Sequence, residues 1–305
     1  MIRLAIRARR EDAEIVLAEL LELAPGGVEE VQIGEETVEY AVYGAPGELP
    51  ELPDLNAAVG ETPVEVSSTE IADDWSERWK RFHRPVLIEP SQGSPVPSLH
   101  VRPPWESPSD REGVEEIVID PGQAFGTGAH ATTRLCLELL LELAALEGPA
   151  RPLLDVGTGS GVLAIAATRL GFAPVLGLDH ERESVAATEE NARVNVAEIE
   201  VRRFDLRTQA LPWLGAEGED GSAPADGVLD GGAGSSLVVA ANLLRPLLLD
   251  LARGMACAPA HLLAGGLLRE QVDEVVESFG ERLGMREHER RESGEWAVVW
   301  LRRGD

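Results

Sequence analysis

Apolar and polar positions along the first 71 residues spell short strands and helices in turn. IRLAIRA reads as a strand, EDAEIVLAELLEL as an amphipathic helix, VEEVQIG and VEYAVYG as two strands, ELPDLNAAV as a short helix and PVEVSSTEI as a last strand. That β-α-β-β-α-β order predicts a small ferredoxin-like α+β domain over residues 1–71. It holds no nucleophile cluster and no glycine-rich loop, so recognition or positioning is its expected task.

Residues 72–98 read as a linker. In DDWSERWKRFHRPVLI, Trp75, Trp79 and Phe82 recur at helical spacing, Asp73 can cap the helix and Pro85 stops it. Loops rich in Pro, Ser and Gly follow, around a short strand near Leu99–Arg102.

From about residue 115 strands and longer helices alternate. EEIVID, RPLLDVG, APVLGLD, IEVRRFD, LVVAAN and HLLAGGLL read as strands, separated by apolar-striped helices such as HATTRLCLELLLELAAL and RESVAATEENARVNV. MREHERRE and WAVVWLRR close the chain as two more strands. This rhythm predicts an open, mostly parallel α/β sheet with helices on both faces over residues 99–305, with EEIVID as its first strand. Residues 215–236, dense in Gly, Ala, Asp and Ser, break the rhythm and read as a flexible insertion.

Ligands of such sheets sit beyond the carboxyl ends of the strands. In LLDVGTGSG a strand runs into Gly157, Gly159 and Gly161 and a helix starts at once, with Asp155 just ahead of the loop. The dinucleotide fingerprint needs a glycine where this chain has Val162, which speaks against a hydride cofactor. Asp179 closes the next strand, where a carboxylate reaches a ribose diol, and Asp205 ends the one after, at the edge where an adenine would lie.

Composition narrows the class. Apolar content of 44% and 27% charged residues describe a globular protein. No apolar run reaches membrane-span length and the start lacks a signal-peptide pattern, so a cytoplasmic location and no membrane partner are expected. Net charge is −27 and Lys80 is the sole lysine, a surface that repels phosphate backbones and attracts a lysine-rich protein. Such acidity equally serves solubility. Cys136 and Cys257 lie in apolar helical patterns and read as buried free thiols, and six scattered histidines suggest no metal site.

The spacing D-x-G-x-G-x-G with a strand-end acid resembles the S-adenosylmethionine loop of class I methyltransferases. DPGQAFGTGAHATTRLCL, LLDVGTGSGVLAIAA, VVAANLLRPLLLDLA and ESGEWAVVW together resemble the methyltransferase family that modifies large-subunit ribosomal protein eleven. The linker helix matches that family and the amino-terminal domain matches its recognition domain in pattern, so the likeness covers nearly everything outside residues 215–236. It implies a Rossmann-like fold and transfer of methyl groups from S-adenosylmethionine to lysine ε-amines, and leaves open whether the amino-terminal α-amine is a further acceptor. The implied partner is a lysine-rich ribosomal protein met free, before assembly, with no direct contact to nucleic acid.

The resemblance also implies roles. Thr132 or Thr133 hydrogen-bonds the methionyl end of the cofactor, Phe125 packs against the site, and acids such as Asp155 face the ammonium and sulfonium. Asn242 touches cofactor and acceptor alike. With the backbone of Leu243 and Leu244 it is expected to offer neutral oxygens to the target amine, and Trp296, preceded by Gly294 and Glu295, to line the site. Blander readings stand beside these: a threonine cap on the helix after GTG, Asn242 as the cap of LLRPLLLDL, and Trp296 as core. Ser235 and Ser236 replace an acid usual in the family, and Ala258, Pro259, Ala260 and His261 replace a P-G-G turn. Those departures leave open another protein or a small amine as acceptor, or a cofactor-binding module without turnover.

Overall fold

The computed structural model describes residues 2–13, 16, 20, 28–32, 37–44, 64–70, 83–121, 130–148, 150–212 and 236–304. They fall into two compact units, Met1–Phe82 and His83–Asp305.

In the first unit, β1 (Ile2–Arg9), β2 (Glu29–Gln32), β3 (Thr37–Gly44) and β4 (Glu65–Glu70) form an antiparallel sheet in the order β2-β3-β1-β4. Leu4, Ile6 and Ala8 alternate onto one face with Val38, Tyr40 and Val42 and pack on Val16 and Leu20. Arg3 and Arg7 bracket the buried Glu39, and the Arg3 hydrogen bond contributes most to holding that carboxyl below its usual range. The helix expected over ELPDLNAAV and the linker helix with Asp73, Trp75, Trp79 and Phe82 lie outside the described residues, as does most of the helix expected over residues 11–23.

The second unit carries two sheets. A three-stranded one joins β5 (Val86–Ile88), β6 (Ser98–Arg102) and β7 (Val114–Val118), β6 and β7 in parallel. The segment EEIVID, expected to open the large sheet, is therefore β7 of this smaller one. The three residues of β5 were too few to show any period in the sequence.

The large sheet has seven strands, built with α1 (Ala131–Glu147), β8 (Leu153–Val156), α2 (Val162–Arg169), β9 (Val175–Asp179), α3 (Arg182–Val194), β10 (Glu200–Arg203), β11 (Val238–Asn242), α4 (Arg245–Gly254), β12 (His261–Leu268), α5 (Val272–Leu283), β13 (Met285–Ser293) and β14 (Trp296–Arg303). Its order is β10-β9-β8-β11-β12-β14-β13, parallel from β10 to β12 and antiparallel at β14 and β13. Side chains alternate between two apolar layers. Leu153, Val238, Ala240 and Leu263 face α1 and α2, while Leu154, Val239, Ala241 and Leu262 face α4 and α5. The chain runs one way from β8 to β10 and the other way from β11 to β12, which puts a crevice at the carboxyl ends of β8 and β11.

Two further readings change. Cys136 is buried in α1, but Cys257 is exposed, because α4 ends at Gly254 and leaves it in the turn before β12. The insertion expected over residues 215–236 lies outside the described residues except for Ser236. Among the described residues, no helix is long and apolar enough to cross a membrane.

Candidate active site

The glycine-rich loop after β8 is fastened to the neighbouring strand before any ligand is considered. The Leu178 carbonyl accepts from the Gly157 and Thr158 amides at 2.8 and 3.0 Å, and the Gly161 amide closes a turn on Thr158 at 2.8 Å. Gly157, Gly159 and Gly161 all have positive φ, where a side chain strains the backbone. At Gly157 space is also short, since a Cβ would come 2.3 Å from Leu243 Cδ2.

Three acids line up along this edge. Asp155 is fully buried. Its Oδ2 accepts from Thr158 Oγ1 at 2.8 Å, while Oδ1 has no hydrogen-bond partner among the described residues. Burial pushes its carboxyl up to about 7, helped by the Asp179 charge and opposed by the Thr158 hydroxyl and the nearby Ala164 amide. Asp179 accepts from the Gly159 amide at 2.9 Å and the Glu181 amide at 3.1 Å, so it braces the loop as well as facing the crevice. Asp205 lies two residues past β10, where the Arg207 amide chiefly holds its carboxyl below the usual range. Asp179, Asp205, Phe204, Leu206 and Leu243 line a cavity of about 160 Å³. A larger open concavity of about 880 Å³ lies at the opposite, amino ends of β9 and β10 and holds none of these groups.

These features fit S-adenosylmethionine. A buried carboxylate oxygen without a partner suits an ammonium, Asp179 at a strand end suits a ribose diol, and the apolar slot between Phe204, Leu206 and Leu243 suits a flat base. Glycine at position 157 leaves room for the Leu243 side chain that lines this slot.

On the other side of the crevice, among the described residues, the polar groups gathered around Asn242 carry no charge. Asn242, the last residue of β11, donates from Nδ2 to Thr133 Oγ1 at 3.3 Å. Its Oδ1 lies over Gly265 in β12, where a Cβ would come 2.9 Å from it and 2.6 Å from Cys136 Sγ. At Gly266 φ is +78° and a Cβ would come 2.4 Å from the Leu243 carbonyl oxygen. The Gly265 carbonyl accepts from the Leu243 amide at 3.2 Å, and the register of β12 on β14 shifts at this glycine pair. Burial, with the Asp155 charge second, pushes the Cys136 thiol far up, so it stays neutral.

Several expected roles resolve differently. Asn242 does not cap α4, because Leu244 holds the cap position, its side chain 66% exposed at the mouth of the crevice. Nor does a threonine cap α1. His130 does, accepting from the Thr132 amide at 3.4 Å with Thr132 Oγ1 2.9 Å from the same Nδ1. Burial holds the His130 imidazole below its usual pKa, and the ring meets Trp296 edge-on at 4.9 Å. Thus α1 brings Thr133 to Asn242 and His130 to Trp296, which is half-buried. Phe125 lies outside the described residues. Sequence reasoning passed over His130, Gly265, Gly266 and the asparagines of α3. The first stood inside a quoted motif, and an interior Gly-Gly in a strand was itself a signal of close backbone approach.

A family model described as "Ribosomal protein L11 methyltransferase (PrmA)" matches residues 28–304. A ribosomal protein L11 methyltransferase of Geobacter sulfurreducens is 36% identical over 258 residues, covering 82% of this chain and 74% of its own length. One of Chloroflexus aurantiacus is 38% identical over 244 residues, 76% of this chain and 69% of its own length. The solved structure of a ribosomal protein L11 methylase from Lactobacillus delbrueckii subsp. bulgaricus superposes with a TM-score of 0.54 at 28% identity, covering 72% of this chain and 99% of that one.

Proposed function

The chain belongs to the ribosomal protein L11 methyltransferase family, and from that premise we propose that it transfers methyl groups from S-adenosylmethionine to lysine ε-amines and the α-amine of ribosomal protein L11. One observation carries the reading: the acid-lined cavity at the ends of β8, β9 and β10 stands beside the uncharged edge built on Asn242. When bound, S-adenosylmethionine supplies a methyl group already activated by its sulfonium. The residues of the chain then have to align, desolvate and keep the attacking amine neutral.

Asp155 is the partner for the cofactor ammonium, Asp179 for the ribose and Asp205 for the edge of the base. Phe204, Leu206 and Leu243 pack around the adenosine, and Gly157, Gly159 and Gly161 shape the loop beneath it. Thr132 and Thr133 begin the helix that faces the methionyl end. A lysine ammonium has no lone pair to give, and a carboxylate beside it would raise its pKa. Asn242 therefore offers an amide oxygen, and the Leu243 carbonyl a second, as acceptors for the N–H groups of a neutral amine, whereas the expected Leu244 carbonyl is taken by the Leu247 and Leu248 amides at 3.0 and 3.2 Å. His130, neutral through burial, adds no charge to that side.

Residues 1–71 serve acceptor recognition in this reading. A net charge of −27 favours a lysine-rich acceptor taken up before ribosomal RNA covers it. The test is to incubate the purified protein with S-adenosylmethionine and unmodified L11 and read the intact mass of the product. Gains in steps of one methyl group are expected. No gain, while a family member run alongside is active, overturns the acceptor assignment.

A further inference from the structure

Helix α3 and its C-cap residue Asn195 present Thr188, Asn191 and Asn195 on one face, at spacings of three and four residues, and all three are buried. Their hydrogen bonds run in two directions. Toward the second glycine loop, Thr188 Oγ1 donates to the Gly159 carbonyl at 2.9 Å and Asn191 Nδ2 donates to the Ser160 carbonyl at 2.9 Å. Toward the end of β7, Asn191 Oδ1 accepts from the Asp120 amide at 3.1 Å. Asn195 accepts from the Val118 amide at 2.8 Å and donates to the Val118 carbonyl at 2.7 Å and the Asn191 carbonyl at 2.8 Å.

Asp120 opens DPGQAFGTGAHATT, and Ser160 belongs to DVGTGSG. A single carboxamide thus links the starting point of one glycine-rich segment to the turn of the other. We propose that Asn191 is a positioning residue of the cofactor site, fixing from one anchor in α3 the separation between Asp120, at the end of β7, and Ser160 in the loop after β8. An amide is suited to this task because the two bonds need a donor and an acceptor on one short, uncharged side chain. Neither bond touches the acceptor side, so cofactor affinity is the property it controls. The inference rests on the reading of this crevice as an S-adenosylmethionine site.

The two bonds from Asn195 to Val118 remain when Asn191 is changed, which keeps β7 docked in the variants. Calorimetric titration of wild type, Asn191→Ala and Asn191→Asp with S-adenosylmethionine tests the proposal, alongside thermal melts and kcat and KM for L11. Expected is about a tenfold loss of cofactor affinity in Asn191→Ala, with KM for L11 unchanged at saturating cofactor. Asn191→Asp carries its own control. The protonated carboxyl can donate to Ser160 and accept from Asp120, so its affinity relative to wild type should recover as pH falls from 8.5 to 6. A merely structural role lowers the melting temperature and leaves affinity per folded molecule equal to wild type at every pH, which overturns the inference. If Asn191→Ala does not fold, the pH-dependent ratio for Asn191→Asp decides alone. Wild type that fails to bind the cofactor overturns the underlying reading instead.

Discussion

The two sides of the crevice share one sheet edge and both depend on glycines that make room for neighbouring protein atoms, yet they differ in charge. On the side of β8, β9 and β10 stand Asp155, Asp179 and Asp205, and Gly157, Gly159 and Gly161 turn the backbone at positive φ, Gly157 leaving room for Leu243 and Gly161 for Thr188. On the side of β11 and β12 the polar groups are Asn242, Thr133 and His130, and Gly265 and Gly266 make room for other parts of the protein. The difference follows from the chemistry each side must hold. A cation is held best by carboxylates, whereas an amine that has to lose its proton needs oxygens without charge.

Breaking the uncharged side through its backbone should have the largest effect. In Gly266→Ala the new methyl meets the Leu243 carbonyl oxygen at 2.4 Å at a φ of +78°, so Leu243 and with it Asn242 must move. Activity is expected to fall about a hundredfold, while cofactor affinity measured by calorimetry changes less than about threefold. On the acidic side Asp179→Ala removes an acceptor for the Gly159 amide as well as the proposed ribose partner. Cofactor affinity should drop about thirtyfold, with kcat at saturating cofactor nearly kept.

Asp155 sharpens the contrast through pH. Its folded pKa of about 7 lies above the ordinary 3.8, so stability present below about pH 4 is lost as pH rises to about 7. Urea titrations of Asp155→Asn without ligand should therefore show stability gained relative to wild type across that window. A cationic ligand favours the ionised carboxylate. Wild-type affinity should rise as pH climbs through about 7, by up to tenfold per pH unit below it, and the variant should flatten that rise.

Much of the frame could be read in advance because the chain alternates its periods cleanly. HLLAGGLL marks β12 to the residue, and Asp155 and Asp179 sit at strand ends where apolar runs stop. What period cannot show is which sheet a strand joins, so EEIVID went to the wrong one. The cap readings weighed beside the main ones fail for a local reason. Thr132, Thr133 and Asn242 are strong cap formers by type, but tertiary partners hold Thr133 and Asn242 to each other and leave capping to His130 and Leu244. Nothing in RESVAATEENARVNV sets Asn191 and Asn195 apart from its other polar residues. Only the folded chain shows that the two are buried against two backbones.

The division of the crevice into a charged and an uncharged side is tested most directly by Asn242→Asp, which changes one NH2 to an oxygen and places a carboxylate where the account allows none. Its cofactor affinity by calorimetry and its rate of L11 methylation should be measured together from pH 7 to 9. The account predicts affinity close to wild type with a collapsed rate that recovers in part as pH rises. A variant that methylates L11 at the wild-type rate, or that loses rate only in proportion to lost cofactor binding, would contradict it.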